Sequence, residues 1–211
     1  MHLKRQQATT RLPVPRKGTK FLVRSMSNPL ESVSVAIAIR DVLSLARSIR
    51  EVKKMIHDKA LKLNGKNITD YKQPIYLFNI LEADKKYILS LSLSNKFILK
   101  EYKDNFRLLK IVGKKIVRNG KIQINFHDGT NILSDKKMSV GDSVYLDFEG
   151  KIKEHISMKK GVKVFITSGK YVGHEAKVKE VDHRLVSLEI NGKDVNLNEK
   201  QVILIWNQSK N

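Results

Sequence analysis

The triplet Asn-Gly-Lys occurs three times in this chain of 211 residues, at 64–66, 119–121 and 191–193. Asn-Gly is the dipeptide that best accommodates the two positive φ angles of a type I′ hairpin turn. Each copy lies between short apolar stretches. We therefore interpret the copies as three independent β-hairpins and not as one repeated module.

The charge of the chain indicates a polyanionic partner. Forty-one Lys and Arg residues against 21 Asp and Glu residues give a formal net charge of +20. Such a balance favours nucleic acid over an anionic membrane surface or an acidic small molecule. A length of 211 residues allows one large domain or two to three small ones.

We expect neither membrane insertion nor secretion. The longest apolar run, residues 33–39, is too short to span a bilayer and leads directly into Arg40 and Asp41. No small-residue cleavage pattern follows the basic start. The absence of cysteine removes disulfides and thiolate metal sites and fits a reducing cytosol, so we expect a cytoplasmic protein.

Residues 1–36 are interpreted as a basic N-terminal arm. Three prolines and one glycine interrupt its first 30 residues, and no acidic residue precedes Glu31. A segment with so little apolar surface is typical of an extended arm that orders on a polyanion, the alternative being a disordered tail. The cations of this arm that are candidates for nucleic-acid contacts are Lys4, Arg5, Arg11, Arg16, Lys17, Lys20 and Arg24.

The pattern becomes helical from residue 37 to about residue 56. Apolar residues recur at steps of three and four, from Ile39 and Val42 to Ala46 and beyond. Ser48, followed three residues later by Glu51, is a capping box that predicts the start of a second helix. With the first Asn-Gly turn, residues 37–85 read as helix, helix and hairpin.

From residue 86 onward the pattern is that of β-structure. The stretches ILSLSL at 88–93 and KIQINF at 121–126 alternate with period two between turn dipeptides. They predict a central β domain over residues 86–157. A third unit, residues 158–211, contains the strand and glycine-marked loop of GVKVFITSGKYVG, a returning strand AKVKEV and a final hairpin.

The order of these elements resembles a known family. The stretch IRDVLSLARSIREVKKMIHDKALKLNGKNITD at 39–70 resembles the small RNA-binding fold first named for bacterial small-subunit ribosomal protein four. HLKR at 2–5, NFHDGTNIL at 125–133, VGD at 140–142 and GVKVFITSGKYVG at 161–173 are similar, in the same order, to motifs of the archaeal and eukaryotic e-type of ribosomal protein four. The resemblance covers nearly the whole chain.

The resemblance implies an α+β multi-module fold. Its parts would be the basic arm, a small helix-helix-hairpin RNA-binding module, the central β domain and a C-terminal SH3-like KOW β-barrel. Two positions depart from the family pattern. Lys59 stands where many members have glycine before the strand, and Ala176 stands where KOW motifs usually keep a second glycine, which puts the tightness of that loop in question.

The resemblance also implies the function. The chain would be a structural component of the small ribosomal subunit that organises small-subunit ribosomal RNA beside neighbouring ribosomal proteins, with no cofactor and no small-molecule substrate. The alternatives are an RNA-modifying enzyme and a KOW-containing transcription factor. An enzyme of this kind needs a large catalytic domain, and such a transcription factor needs a polymerase-binding domain. We recognise neither domain in this sequence.

The second helix carries the strongest candidate RNA contacts, Arg47, Arg50, Lys53 and Lys54. Arg47, Arg50 and Lys54 share one face, and A-form RNA is bound largely through its backbone and shape. The alternative is an ordinary solvated face. Arg40 either contacts RNA or orients the first helix through an ion pair with Asp41.

Two loops add candidates of the same kind. Asn64 and Lys66 lie at a hairpin tip, where they either clamp phosphate or only form the turn. Lys170 and Tyr171 lie in the loop after the first strand of the third unit. Lys170 would meet phosphate there, and Tyr171 would either stack on a splayed base or pack into its own barrel.

No pattern in the sequence supports catalysis or metal binding. His127 and Asp128 are adjacent, so on a strand they would point to opposite faces, and we interpret them as part of a turn. The six histidines are scattered without an i, i+4 pair, which supports no zinc site. Gly169 and Gly173 lack the Gly-Lys-Ser or Gly-Lys-Thr of a phosphate-binding loop.

Overall fold

The computed structural model describes residues 3–117, 121–182, 185–190 and 192–206. The chain divides into a first unit, Met1–Asp104, and a second unit, Asn105–Asn211. Both are mostly β-structure with few helices. The four-part division expected from the sequence is finer than this partition and stays a prediction.

The first unit combines short strands with two helical segments. Its strands are β1 (Leu3–Lys4), β2 (Phe21–Leu22), β3 (Ser32–Ser34), β4 (Lys62–Leu63), β5 (Lys66–Asn67), β6 (Pro74–Tyr76), β7 (Ile80–Glu82), β8 (Lys86–Leu91) and β9 (Phe97–Glu101). Its helical elements are a 3₁₀ turn (Arg5–Gln7), α1 (Val35–Ile37), a π-helical turn (Ala38–Val42) and α2 (Ile49–His57).

The N-terminal segment is folded, which differs from the expected extended arm. Strand β1 pairs antiparallel with β2, and Leu12 and Leu22 are buried. The Arg5 guanidinium donates to the carbonyl oxygens of Thr19 at 2.6 Å and Pro15 at 2.5 Å. These bonds join residues 14 and 10 positions apart, so composition alone did not reveal them.

The first helix is shorter than its periodicity predicted. Its initial turn is capped by the Ser34 hydroxyl, which accepts from the N–H of Ile37. The helix then widens, because the N–H of Leu43 donates to the carbonyl of Ala38 five residues back, and it ends before Ser44, whose φ is +56°. Residues 35–39 are all buried and anchor this segment.

Helix α2 begins where the capping box predicted. The Ser48 hydroxyl accepts from the N–H of Glu51 at 3.3 Å, and the Glu51 carboxylate accepts from the N–H of Arg47 at 2.7 Å. Both bonds satisfy N–H groups that a helix start otherwise leaves unpaired. Val52 is fully buried and fixes which face of the helix packs inward.

The end of α2 places Lys59 in a left-handed conformation with φ of +54°. The N–H of Lys59 donates to the carbonyl of Ile56, and the N–H of Ala60 donates to that of Met55, both at 3.0 Å. This pattern is a Schellman motif, whose left-handed position favours glycine. Lys59 therefore costs conformational energy that the sequence analysis did not foresee.

Strands that flank the Asn-Gly dipeptides pair as hairpins. In the first copy β4 pairs with β5, and Asn64 and Gly65 both have positive φ, 53° and 78°. The second and third turns include Asn119, Gly120 and Asn191, which lie outside the described residues. The strands on either side of each still pair antiparallel, so the three hairpins are confirmed.

One antiparallel sheet, ordered β5-β4-β7-β8-β9, contains most strands of the first unit, and β3 pairs separately with β6. The period-two stretch at 88–93 lies mainly in β8, whose Leu89 and Leu91 are buried. Strands β8 and β9 were expected in the central β domain, and in the structure they extend the sheet that holds the first hairpin.

The second unit contains two five-stranded antiparallel sheets, ordered β12-β11-β10-β13-β14 and β18-β17-β16-β15-β19. The strands are β10 (Phe106–Ile116), β11 (Ile122–Phe126), β12 (Asn131–Ser134), β13 (Ser143–Asp147), β14 (Ile152–Ile156), β15 (Lys163–Ile166), β16 (Glu175–Asp182), β17 (Leu185–Ile190), β18 (Lys193–Asn198) and β19 (Val202–Ile205), and a 3₁₀ turn spans Glu199–Gln201. Each sheet has its own apolar cluster.

Ala176 does not strain its loop. It is buried in strand β16, where it pairs with Val164 of β15, and it has no positive φ. An extended alanine is unstrained, so the doubt raised by the missing glycine is removed. The positive φ angles nearby fall on Gly169 and Gly173, at 94° and 80°.

Strand β19 joins the two sheets of the second unit. One edge of β19 pairs with β15 of its own sheet. Beyond that pairing, the N–H of Leu204 donates to the Ser143 hydroxyl at 3.2 Å, and the N–H of Trp206 donates to the Tyr145 hydroxyl at 3.1 Å. Side chains of β13 thus satisfy donors that an unpaired strand edge would leave open.

Lys110 of β10 reinforces this junction with a buried ammonium group. Its Nζ donates to the carbonyl oxygens of Glu199 at 2.5 Å and Val202 at 2.8 Å. Burial lowers the pKa of Lys110 to about 8, and Glu199 opposes the shift. Gly141 gives the Glu199 side chain room, since a Cβ at Gly141 would lie 1.7 Å from Oε1.

Replacing Lys59 by glycine should raise the free energy of unfolding by about 0.5–1 kcal/mol, because glycine adopts positive φ at little cost. Urea unfolding followed by circular dichroism measures the change. Lys59→Ala is the control, since it removes the same charge and keeps the conformational cost. A gain of equal size in both variants would show that charge, and not backbone conformation, sets the stability.

The lowered pKa of Lys110 makes the second unit more stable at alkaline pH. Between pH 8 and the ordinary lysine pKa the unfolded chain binds more protons at this group than the folded chain, so folding stability rises with pH. Relative to Lys110→Met, the wild type should gain up to about 1.4 kcal/mol per pH unit in this window. Urea unfolding of both proteins from pH 7 to pH 10 tests this, and a constant difference would contradict it.

Candidate nucleic-acid interface

Helix α2 presents a cationic face to solvent. Arg50 and Lys54 are exposed on the side opposite the buried Val52, Lys53 is exposed on the flank between them and Val52, and Arg47 is exposed just before the helix. Within the described part of the chain, none of these four cations forms an ion pair. The face thus has charge available for phosphate oxygens.

The one carboxylate at the start of this face, Glu51, is held by the helix itself. The backbone N–H of Arg47 and the Ser48 hydroxyl lower the pKa of the Glu51 carboxyl below its ordinary value. It therefore stays ionised and remains bound to the helix start. Four cations against one engaged carboxylate leave this stretch strongly basic.

Arg40 forms an ion pair with Asp41, one of the two roles considered for it from the sequence, the other being an RNA contact. Its Nε and Nη2 donate to the two carboxylate oxygens of Asp41 at 2.9 and 2.8 Å, and Asp41 raises the pKa of the guanidinium. The planar fork is engaged bidentately, a geometry that favours orientation of the helical segment. Arg40 therefore offers less to RNA than the α2 cations do.

The two candidates at the hairpin tip have different roles: Asn64 stabilises the turn, and Lys66 is exposed. The Asn64 side-chain oxygen accepts from the N–H of Ile80 at 2.9 Å, so this amide ties the turn to β7. Lys66 is exposed at the first position of β5. Of the two residues, Lys66 is the one placed to meet a phosphate.

The cations of the N-terminal segment also differ in availability. Arg5 is bound to the carbonyls of Thr19 and Pro15, and the Arg11 guanidinium donates to the carbonyl of Leu30 at 2.9 Å. Charge at these two positions holds the segment in shape. The remaining candidates are all exposed: Lys4, Arg16, Lys17, Lys20 and Arg24.

The loop between β15 and β16 presents Lys170 more than Tyr171. Tyr171 is partly buried against the apolar cluster of its sheet, and its ring meets His174 edge-on with centroids 6.3 Å apart. Lys170 is exposed, with its Nζ 5.8 Å from the centroid of the Tyr171 ring. These contacts favour packing of Tyr171 into its own unit over stacking on a splayed base.

His127 and Asp128 lie in a turn, as interpreted from the sequence. The His127 Nδ1 accepts from the N–H of Lys110 at 3.1 Å, and the buried Asp128 carboxylate pairs with Arg107. Asp128 also accepts from the N–H and the hydroxyl of Thr130. Both side chains are therefore committed to the fold and not to acid–base chemistry.

The described residues offer neither a metal site nor a membrane-spanning helix. They contain no group of three or more His, Cys, Asp or Glu that would hold a metal ion. Within the same part of the chain, every helix is too short or too polar to cross a lipid bilayer.

Sequence reasoning missed Tyr71 and Lys72, which lie beside Lys53. The Lys53 ammonium lies 5.0 Å from the centroid of the Tyr71 ring. The two residues are 18 positions apart, so no local pattern joins them.

Comparison with known proteins identifies relatives along nearly the whole chain. A family model described as Ribosomal family S4e matches residues 83–153. Small ribosomal subunit protein eS4 of Methanococcus maripaludis is 34% identical over 206 residues, covering 90% of this chain and 84% of that protein. The protein of the same name from Archaeoglobus fulgidus is 30% identical over 218 residues, covering 97% and 93%.

A solved structure shares the fold. The crystal structure of the 30S ribosomal protein S4e from Thermoplasma acidophilum superimposes with a TM-score of 0.73 at 24% identity, covering 84% of this chain and 96% of that one. The predicted family is confirmed, and with it the prediction of a structural protein and not an enzyme. The chain belongs to the eS4 family of small ribosomal subunit proteins.

Proposed function

We propose that this chain is a component of the small subunit of the cytoplasmic ribosome and binds and organises small-subunit ribosomal RNA beside neighbouring ribosomal proteins. The observation that carries the proposal is the exposed face of α2, whose Arg50, Lys53 and Lys54 have no ion-pair partner among the described residues. Protein binding to an RNA backbone gains most of its free energy from such contacts.

The helical elements and the first hairpin support an RNA-binding module at this place. Helix α2 leads through its Schellman end directly into β4 and β5, so the cationic face and the hairpin tip at Lys66 belong to one continuous piece of the first unit. That order supports the helix-helix-hairpin module that the sequence resemblance implies. The first helix is represented by α1 and its π-helical turn.

The second unit supports a KOW-type barrel as the other contact. Its sheet β18-β17-β16-β15-β19 is antiparallel throughout, and the loop after β15 is bent by Gly169 and Gly173. Lys170 projects from that loop. We keep the four modules 1–36, 37–85, 86–157 and 158–211 as part of the proposal. The boundary at 85/86 has the least support, because β7 before it pairs with β8 after it.

Several modest contacts suffice for this role. Cations of the N-terminal segment, of α2, of the hairpin and of the Lys170 loop would each neutralise a few phosphates of one RNA molecule. Joining sites on one chain raises their combined affinity through effective concentration. Since Arg5, Arg11, Arg40, Asn64 and Tyr171 are already engaged within the protein, they position the binding surfaces more than they contact RNA.

The combined substitution Arg47→Ala, Arg50→Ala and Lys54→Ala tests the proposal. Affinity for the small-subunit ribosomal RNA of the source organism should fall on the order of tenfold, and the slope of log K against log salt should decrease by about 2 to 3. Alanine is a strong helix former, so circular dichroism should be unchanged. Filter binding across a salt series measures both quantities.

The matched control is Lys96→Ala, Lys100→Ala and Lys103→Ala, which removes the same charge from exposed positions in and around β9. It should leave affinity within about twofold of the wild type, because only general electrostatic attraction is reduced. If both triple variants lost affinity equally, the face of α2 would have no special part in binding. Unchanged affinity in the α2 variant would reject the proposal.

A further inference from the structure

Two ammonium groups converge on one tyrosine ring in the first unit. The Nζ of Lys53 lies 5.0 Å from the centroid of the Tyr71 ring, and the Nζ of Lys72 lies 5.4 Å from the same centroid. Lys53 comes from α2, whereas Tyr71 and Lys72 come from the loop between β5 and β6. The two nitrogens are thus within about 10 Å of each other.

The loop that carries Tyr71 and Lys72 is fixed by hydrogen bonds. The Asp70 carboxylate accepts from the N–H of Lys72 at 2.7 Å and forms a tight turn. The carbonyl of Tyr71 accepts from the N–H of Ala36 at 2.9 Å, and that of Lys72 accepts from the N–H of Met26 at 3.0 Å. Two distant segments of the unit therefore hold this backbone in place before any partner binds.

The cluster has positive charge that its protein neighbours leave uncompensated. Among the described residues neither Lys53 nor Lys72 has an ion-pair partner, and the Tyr71 hydroxyl has no hydrogen-bond partner. An aromatic face attracts cations and keeps them in position, but it does not neutralise them. Two ammonium groups and one hydroxyl donor around one ring form a site for an anion with several oxygens.

We propose that Lys53, Tyr71 and Lys72 form a phosphate-binding site for the RNA backbone. The two ammonium groups bind oxygens of one phosphodiester or of two consecutive ones, and the Tyr71 hydroxyl donates to the same oxygens. The ring orients the lysines and does not stack on a base, because its face is occupied by ammonium groups. The proposal rests on the RNA-binding function proposed above and adds two residues that the α2 face does not include.

Single substitutions separate the parts of the site. Lys53→Gln and Lys72→Gln should each weaken binding to the small-subunit ribosomal RNA about threefold to tenfold. Each should also lower the slope of log K against log salt by about 0.7 to 0.9 per phosphate released. The double variant should lose less than the product of the two single losses, because the lysines share their ligand. Lys100→Gln, an equal loss of charge on β9, should have no such effect.

Two substitutions of Tyr71 distinguish a phosphate site from a base-stacking site. Tyr71→Phe removes only the hydroxyl and should weaken binding slightly without changing the salt slope. Tyr71→Leu removes the ring that orients the lysines and should weaken binding with a smaller salt slope. If Tyr71→Leu weakened binding while both lysine variants bound normally, the ring would stack on a base and the phosphate site would be wrong.

The outcome for Lys72 decides between this inference and the general function. Normal affinity and slope in Lys72→Gln would overturn the phosphate site, and loss of affinity in the α2 triple variant would then leave the proposed function standing. If neither protein lost affinity, both proposals would fail. Circular dichroism and urea unfolding of each variant confirm that it is folded at the temperature of the binding assay.

Discussion

The second unit depends on how the free edge of strand β19 is satisfied. An unpaired edge exposes N–H and C=O groups, which are costly when buried and prone to pair with other chains when exposed. Here hydroxyl groups of Ser143 and Tyr145 accept from this strand and the residue after it, while the Lys110 ammonium donates to carbonyls at its start. Three side chains of one sheet thus complete the backbone hydrogen bonding of the other.

This hydrogen-bonding arrangement at β19 constrains the residues Lys110, Gly141 and Asp142. A buried ammonium group is tolerated here because two backbone carbonyl oxygens accept hydrogen bonds from it, and without them a charge would be buried unpaired. Gly141 belongs to the same arrangement, since any side chain there would occupy the position of Glu199. The stretch VGD at 140–142, which carried part of the family resemblance, therefore has a physical reason in this chain. Asp142 adds another, as its carboxylate accepts from the N–H groups of Ser139 and Met158.

Local patterns in the sequence predicted local structure well. The capping box located the start of α2, and the Asn-Gly dipeptides located three hairpins. What the sequence did not show depends on partners far along the chain. The order of the N-terminal segment comes from the bonds of Arg5 to residues more than nine positions away, and the position of β8 comes from pairing with β7 and not from its own alternation. The left-handed conformation of Lys59 is visible only once the helix end is known.

For the candidate binding residues too, local sequence predicted some features, and others depend on partners far along the chain. A count of cations cannot tell which of them the protein itself uses, and Arg40, Arg5 and Arg11 are bound to Asp41 or to backbone carbonyls. Exposed cations such as Arg50 and Lys54 were predicted because helical spacing fixes the face on which they lie. Tyr71 and Lys72 escaped notice because only the tertiary fold brings them to α2.

The single tryptophan gives the junction in the second unit its own optical signal. Trp206 is 44% exposed, its N–H is bound to the Tyr145 hydroxyl, and its ring lies 5.9 Å from that of Tyr145. Emission excited at tryptophan wavelengths therefore comes from this one place, whereas far-ultraviolet circular dichroism averages over both units. Thermal curves from the two methods coincide only when the units unfold as one cooperative system, so their separation measures how independent the two halves of the chain are.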